Sequence, residues 1–203
     1  MYLIDNSYFI GKYEIPDIDE SQSGVSDVLN QFIDIEVRLF MQDLLGIELF
    51  KEFDNYIKPY ISLPIVLPRP EHPAILPDPN QKWSDLINGK EYKDANGNPK
   101  KWNGLVYKIG NYPKSLLTNY IWCAYFMQKN RIDGNGNANV ISSKNALLGN
   151  AANQYFMIWN EFVLMTTSWR DTEFVSLNQF LFDNPTDYPT TNFIHVDFQN
   201  RFL

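Results

Sequence analysis

The sequence predicts a mainly α-helical fold: a helical bundle with a small β-hairpin and extended N- and C-terminal arms. Three observations carry this. Apolar residues recur at three- and four-residue steps over several long stretches, as one face of a helix requires. An Asn-Gly pair, Asn96-Gly97, lies between Tyr92 and Trp102, the pattern of a tight hairpin. Both ends of the chain instead alternate apolar and polar residues or carry proline.

Taken in order, residues 1–20 place Leu3 beside Asp5 and Ile15 beside Asp17 and end in the acidic run "DIDE", so an extended arm is expected. From Gly24 to Leu45, Val25, Val28, Leu29, Phe32, Ile33, Leu39, Phe40 and Leu44 mark a helix, with Ser23 or Ser26 placed to cap it and Gly46 to end it. A second helix over residues 47–60 follows at an angle, because Leu49, Phe50, Phe53 and Ile57 keep helical spacing up to Pro59.

Residues 64–79 hold half of the 12 prolines, too many for a helix or a central strand, and predict a stiff extended connector. In "WSDLINGKEY", Trp83, Leu86 and Ile87 fit a short helical turn closed by Asn88-Gly89, and the hairpin follows. Pro113 to Arg131 reads as a helix with proline in its first turn and Leu116, Leu117, Tyr120, Ile121, Ala124 and Tyr125 on one side. "IDGNGNAN" is a loop by composition. A long helix over 144–169 and a last one over 173–182 complete the body, and the final stretch alternates Phe193, Ile194, Val196 and Phe198 with polar residues, an arm ending in a strand.

The organisation expected is therefore one domain over 1–203, with an N-terminal arm at 1–20 and a helical body at 24–182. The body contains the Pro-rich segment 62–79 and the hairpin 90–107, and the C-terminal arm is 185–203. At 203 residues, with 44% hydrophobic and 15% aromatic composition, the chain is long and apolar enough for a real core.

Charge and cysteine count narrow the function classes. A net charge of −7 and a pI near 4.8 oppose general binding to nucleic acid or to anionic membrane. Cys123 is the single cysteine, so an internal disulfide, a CxxC redox pair and a Cys-based zinc site are excluded, and its apolar neighbours favour a buried hydrophobe over a nucleophile. The first residues lack a basic start followed by an apolar run, and no stretch approaches the roughly 18 apolar residues of a membrane span. The expectation is synthesis and folding in a cytoplasm, with no membrane partner.

Chemical motifs fail their spacing tests. His72 and His195 have no HExxH or carboxylate spacing around them. "NGK" lacks the spacer of a phosphate loop. In "DGNGNANVISSK", Asp133, Asn135 and Asn137 suit a calcium loop, but Ala138 and Lys144 stand where Gly and Glu are needed; "DANGNPKKWNGL" fails likewise at Pro99 and Leu105. Glu161 is the best single candidate for a buried acid, with interhelical hydrogen bonding favoured over catalysis. Trp122 and Trp159 lie on apolar helix faces, where core packing is favoured over a sugar platform, and Trp83 and Trp102 are expected to pin the hairpin to the bundle. No catalytic, cofactor or metal residues are expected.

The order "WSDLINGKEY", "NGNPKKWNGLVY", "SLLTNYIWCAYF", an Asn/Gly loop and "AANQYFMIWNEFV" resembles the head-tail connector (adaptor) proteins of tailed bacteriophages of Bacteroidetes, including crAss-like phages. The likeness covers roughly Trp83 to Val163 and rests on turn and core residues. It implies a helical virion subunit made in the host cytoplasm that assembles into a homo-oligomeric ring, a dodecamer, in the neck below the portal. Such a ring contacts the portal protein and a downstream neck or tail protein and lets double-stranded DNA pass without specific binding. No catalytic residue is carried over.

The arms suit such a role, since extended segments can wrap a neighbour or add a strand. Their apolar residues Tyr8, Ile15, Ile65, Leu67, Ile75, Phe193, Phe198 and Phe202 are the candidate oligomer or partner contacts, and Asp17, Asp19 and Glu20 the candidate acidic residues of a lumen that repels phosphate. Alternatives are another neck component such as a stopper or tail-completion protein, a cell-wall or carbohydrate-active enzyme using Glu161, and a host-surface adhesin, which the helical periodicity disfavours.

Overall fold

The computed structural model describes residues 3–15, 23–61, 81–109, 112–113, 115–132, 150–167, 174–189 and 191–192. Five α-helices and two small antiparallel strand pairs stand among them: α1 Ser23–Ile61, α2 Gln81–Asn88, β1 Lys90–Lys93, β2 Pro99–Trp102, β3 Lys108–Ile109, β4 Tyr112–Pro113, α3 Leu116–Ile132, α4 Asn150–Thr167 and α5 Leu177–Asp183. The protein is mainly helical with a small hairpin, as the periodicity predicts.

The two expected N-terminal helices are present as α1, broken at Gly46, whose φ of 69° and ψ of 164° no helix contains. Before the break, Leu29, Ile33, Val37, Phe40, Met41 and Leu44 are buried; after it, Leu49, Phe50, Phe53 and Ile57. Val28 and Leu39, expected on the core face, are instead exposed. They lie eleven residues apart and so share one side of the helix, and that side is turned away from the core.

Residues 3–15 depart from the extended arm expected there. They form two 3-10 turns, Asn6–Tyr8 and Gly11–Tyr13, the first closed by an Asx turn in which the Ser7 amide donates to Asp5 Oδ1 at 3.0 Å. Ile4, Tyr8, Phe9, Tyr13 and Ile15 enter the common core. The spacing of these apolar residues suits tight turns, each returning a side chain to the same surface.

Three helix starts differ from expectation or lie outside view. Pro113 is not the first helical residue: it pairs with Lys108 in β4, and α3 begins after Ser115, whose Oγ accepts from the Thr118 amide at 3.1 Å and donates to the Leu105 carbonyl at 2.9 Å. The last helix starts at Leu177 instead of residue 173, because Phe174 bridges to Lys101 and Ser176 accepts from the Gln179 amide as N-cap. Residues 144–149 of the expected long helix lie outside the described residues.

α3 packs chiefly on α4, α4 on α5, and α1 on α3. The core runs through all five helices and the hairpin.

Candidate functional site

The segment with the strongest sequence signals, residues 81–107, forms one interlocked unit. α2 buries Trp83, Leu86 and Ile87. Its end is closed when the Gly89 amide donates to the Asp85 carbonyl at 3.0 Å, with Gly89 at φ 94°. The Asp85 carboxylate, nearly buried, is held by Lys90 Nζ at 2.7 Å and by Gln81 Nε2 at 2.7 Å.

The chain then runs through β1, turns at Asp94–Asn98 and returns in β2, in the register Lys90 with Trp102 and Lys93 with Pro99. Asp94 Oδ1 accepts from the Asn96 and Asn98 amides, both at 2.9 Å, and these bonds hold its carboxyl below its ordinary range. The carboxylate that a calcium loop would present first to the ion thus caps its own turn.

After Trp102 a further Asn-Gly pair, Asn103-Gly104, crosses directly over Asn88-Gly89. A Cβ on Gly89 would lie 2.4 Å from the Trp102 carbonyl oxygen, and a Cβ on Gly104 would lie 2.4 Å from the Ile87 carbonyl oxygen. Around this crossing Trp102 Nε1 donates to the Leu86 carbonyl at 3.0 Å, and the Leu105 and Val106 amides donate to the Leu86 and Ile87 carbonyls, both at 3.2 Å. Trp102 stacks on Phe180 of α5, with centroids 5.4 Å apart, and Tyr92 donates to Asp183 Oδ2 at 2.7 Å. Burial and this carboxylate raise the Tyr92 phenol above its ordinary pKa.

No family model, curated protein or solved structure matches this chain. The site must therefore be judged on its own geometry.

Glu161, the candidate acid, is paired with Lys12 of the second 3-10 turn, and Gln154 donates to the Lys12 carbonyl beside it. The pair fastens the N-terminal segment to α4; Glu161 is partly exposed, and its partner is a 3-10 turn where an interhelical hydrogen bond is expected from the sequence. Cys123 is buried, and burial pushes its thiol pKa up, away from thiolate chemistry. Trp122, Phe126, Tyr155 and Trp159 stack in a row between α3 and α4, with Trp122 buried and the other three half-buried against the core. Among the described residues no group of three His, Cys, Asp or Glu side chains is placed to hold a metal ion.

A polar cluster escaped sequence reasoning. Ser115, Thr118 and Asn119 at the start of α3 and Thr166 near the end of α4 are all fully buried. Asn119 Nδ2 donates to Met165 Sδ at 3.2 Å, and Thr166 Oγ1 donates to the Phe162 carbonyl at 2.7 Å. The four side chains are enclosed, and Thr118 Oγ1 and Asn119 Oδ1 have no hydrogen-bond partner among the described residues.

Of the candidate contact residues, Tyr8 and Ile15 are each only 6% exposed and belong to this chain's own core, so neither is a free contact surface here. Ile65, Leu67, Ile75, Phe193, Phe198 and Phe202 lie outside the described residues, as do Asp17, Asp19 and Glu20, the two histidines and the loop at 133–140.

Proposed function

We propose that this chain is a virion structural protein, a head-tail connector that forms a ring below the portal, joins capsid to tail and lets the genome pass. The observation that carries the reading is where the resembling residues sit. "LINGKEY" and "WNGLVY" are the two strands of the crossing at Gly89 and Gly104, so the motif residues build a rigid frame. A likeness made of frame residues supports shared architecture.

The acidic balance supports the same reading. With a net charge of −7, a ring of such subunits presents a lumen that phosphates slide past, the electrostatic counterpart of a channel that conducts DNA without gripping it. The proposed partners are further copies of the chain in a dodecamer, the portal protein, and the next neck or tail protein, with the Pro-rich segment 62–79 and the end of the chain as wrapping elements.

The test is quantitative mass spectrometry of purified virions of the encoding phage. A copy number equal to that of the portal protein is expected. Absence from the particle overturns the reading, and a copy number well below the portal's moves the chain to another neck component such as a stopper.

A further inference from the structure

The hairpin β1–β2 has two outer edges, and the described residues cover only that of β2. The Asp94 amide donates to the Asn98 carbonyl at 3.0 Å, and in an antiparallel pair such bonds recur at every second residue, so Lys90, Tyr92 and Asp94 turn their backbone towards β2. Pro99, which has no amide hydrogen, falls opposite Lys93, where this phase makes no bond. On β2 the backbone of Lys101 therefore faces outward, and there the Val175 amide donates to the Lys101 carbonyl at 3.0 Å. On β1 the N–H and C=O groups of Glu91 and Lys93 face outward, and no backbone group of the described residues bonds to them. Both side chains are exposed. An open edge of this kind accepts a further strand.

Two features say which strand fits. The first is charge. On the solvent face Lys101 Nζ holds Glu91 at 2.9 Å, while Lys93, two residues on, has no ion-pair partner among the described residues. A second copy of β1 laid antiparallel about Tyr92 puts Lys93 of each copy opposite Glu91 of the other, so that each Glu91 lies between its own Lys101 and the neighbour's Lys93. The outward-facing amides and carbonyls of Glu91 and Lys93 then exchange both backbone bonds with those opposite. A parallel arrangement in register sets Glu91 beside Glu91 and Lys93 beside Lys93, which like charges oppose.

The second feature is apolar. Residues 174–175 run along the outer edge of β2, Trp102 stacks on Phe180, and Tyr92 of β1 donates to Asp183 at 2.7 Å. α5 thus crosses beneath the hairpin from the covered edge to the open one. Its Phe182, 67% exposed, comes to the open side.

We propose that β1 is the docking edge for a second copy of this chain, the two hairpins joining antiparallel through Glu91–Lys93 into one continuous sheet in the order β2–β1–β1–β2, with Phe182 of each copy beside the seam. Because the outer edge of β2 is already taken by Val175, the sheet stops there. A two-fold contact closes at two copies. It is a contact of the free chain, distinct from the head-to-tail contacts of a ring, and does not rest on the connector reading.

Sedimentation equilibrium of the full-length protein over a concentration series tests it. The wild-type chain is expected to form dimers and nothing larger. Lys93→Glu sets like charges opposite each other on both sides of the two-fold and is expected to raise the dissociation constant about ten-fold, and Glu91→Lys likewise. In an equimolar mixture of the two variants every cross-strand pair again joins Glu to Lys, so the mixture is expected to associate more tightly than either variant alone. A wild-type chain that stays monomeric, a variant that associates as the wild type does, or a mixture no tighter than its components overturns the proposal. Disulfide trapping reads the register: chains carrying Glu91→Cys and chains carrying Lys93→Cys, mixed and oxidised with copper phenanthroline, are expected to couple to one another, since directly opposed residues of such a pair stand about 5.5 Å apart at Cα. Native Cys123 is 1% exposed and stays out of the reaction. Coupling no faster between the two variants than within either one overturns the pairing.

Discussion

Replacing Gly89 by alanine separates two effects that a glycine can have, because Gly97 supplies a control in the same hairpin. At Gly97, φ is +83° and an added Cβ meets nothing within 4 Å. Alanine there costs the left-handed backbone, about 1–2 kcal/mol, less about 0.4–1 kcal/mol gained by restricting the unfolded chain. The net loss is about 1 kcal/mol.

Gly89 has a similar φ of +94°, but its Cβ would sit 2.4 Å from the Trp102 carbonyl oxygen and 2.7 Å from the Asn103 carbonyl carbon. Both are backbone atoms, so the crossing strands must part by about 1 Å to restore ordinary contact. Parting stretches the bonds from Leu105 and from Trp102 Nε1 to the Leu86 carbonyl, at about 1 kcal/mol each. It also loosens Leu86 and Trp102 in the core, for about another 1 kcal/mol. The sum for Gly89→Ala is about 4 kcal/mol, a large part of the roughly 5–15 kcal/mol that holds a typical domain together. Gly104→Ala, with its Cβ 2.4 Å from the Ile87 carbonyl oxygen, loses a similar amount. Urea unfolding followed by circular dichroism measures all three variants. If Gly89→Ala and Gly97→Ala unfold within about 0.5 kcal/mol of one another, the crossing does not have the tightness argued here.

Ser115→Ala removes the cap of α3 and the donor to the Leu105 carbonyl, and a loss of about 1–2 kcal/mol in the same unfolding assay is expected. Glu161→Gln weakens a partly exposed ion pair and lowers stability by no more than about 1 kcal/mol; a larger loss would mean that the pair anchors the N-terminal turns more strongly than its exposure implies. Burial and Glu36 push the Tyr120 phenol up to about 12, and burial alone is the main cause of a similar rise at Tyr155. The neutral phenol is the form the fold accommodates, so this stability is full below the unfolded tyrosine value near 10 and is lost as pH rises towards 12. Urea midpoints from pH 9 to 12 should fall over that window, less steeply in Tyr155→Phe, and a flat profile would show that the phenols gain solvent before they ionise.

Local signals were legible in the sequence to the extent that one stretch of chain contains both the cause and the effect. Asn96-Gly97 gives its hairpin, Asn88-Gly89 its helix end and Gly46 its break, since each needs only the backbone freedom of one residue. The side of α1 that faces inward was less legible, because apolar residues occupy both sides: Leu29, Ile33 and Phe40 on one, Val28, Ile35 and Leu39 on the other. Periodicity alone assigns no inside. Residues 3–15 are not legible from their own stretch of sequence, because partners far along the chain hold them, with Lys12 paired to Glu161. Asn103-Gly104 carries a signal of its own: an Asn-Gly after an apolar residue occurs at both 88–89 and 103–104, and two such sites flanking one hairpin can lie against each other.

The fastenings at the two ends of the described chain have a consequence for how the protein is made. Lys12 finds Glu161 and Gln154, and Asn192 finds the carbonyls of Asp43 and Leu44. A ribosome synthesises the N-terminal turns and α1 long before Gln154, Glu161 and Asn192 emerge. Lys12 waits for α4, and the carbonyls before the Gly46 break wait for residue 192, whereas the core face of α1 has α3 to pack on once residue 132 has emerged. Such late closure of distant contacts slows folding and makes the nascent chain a client for chaperones.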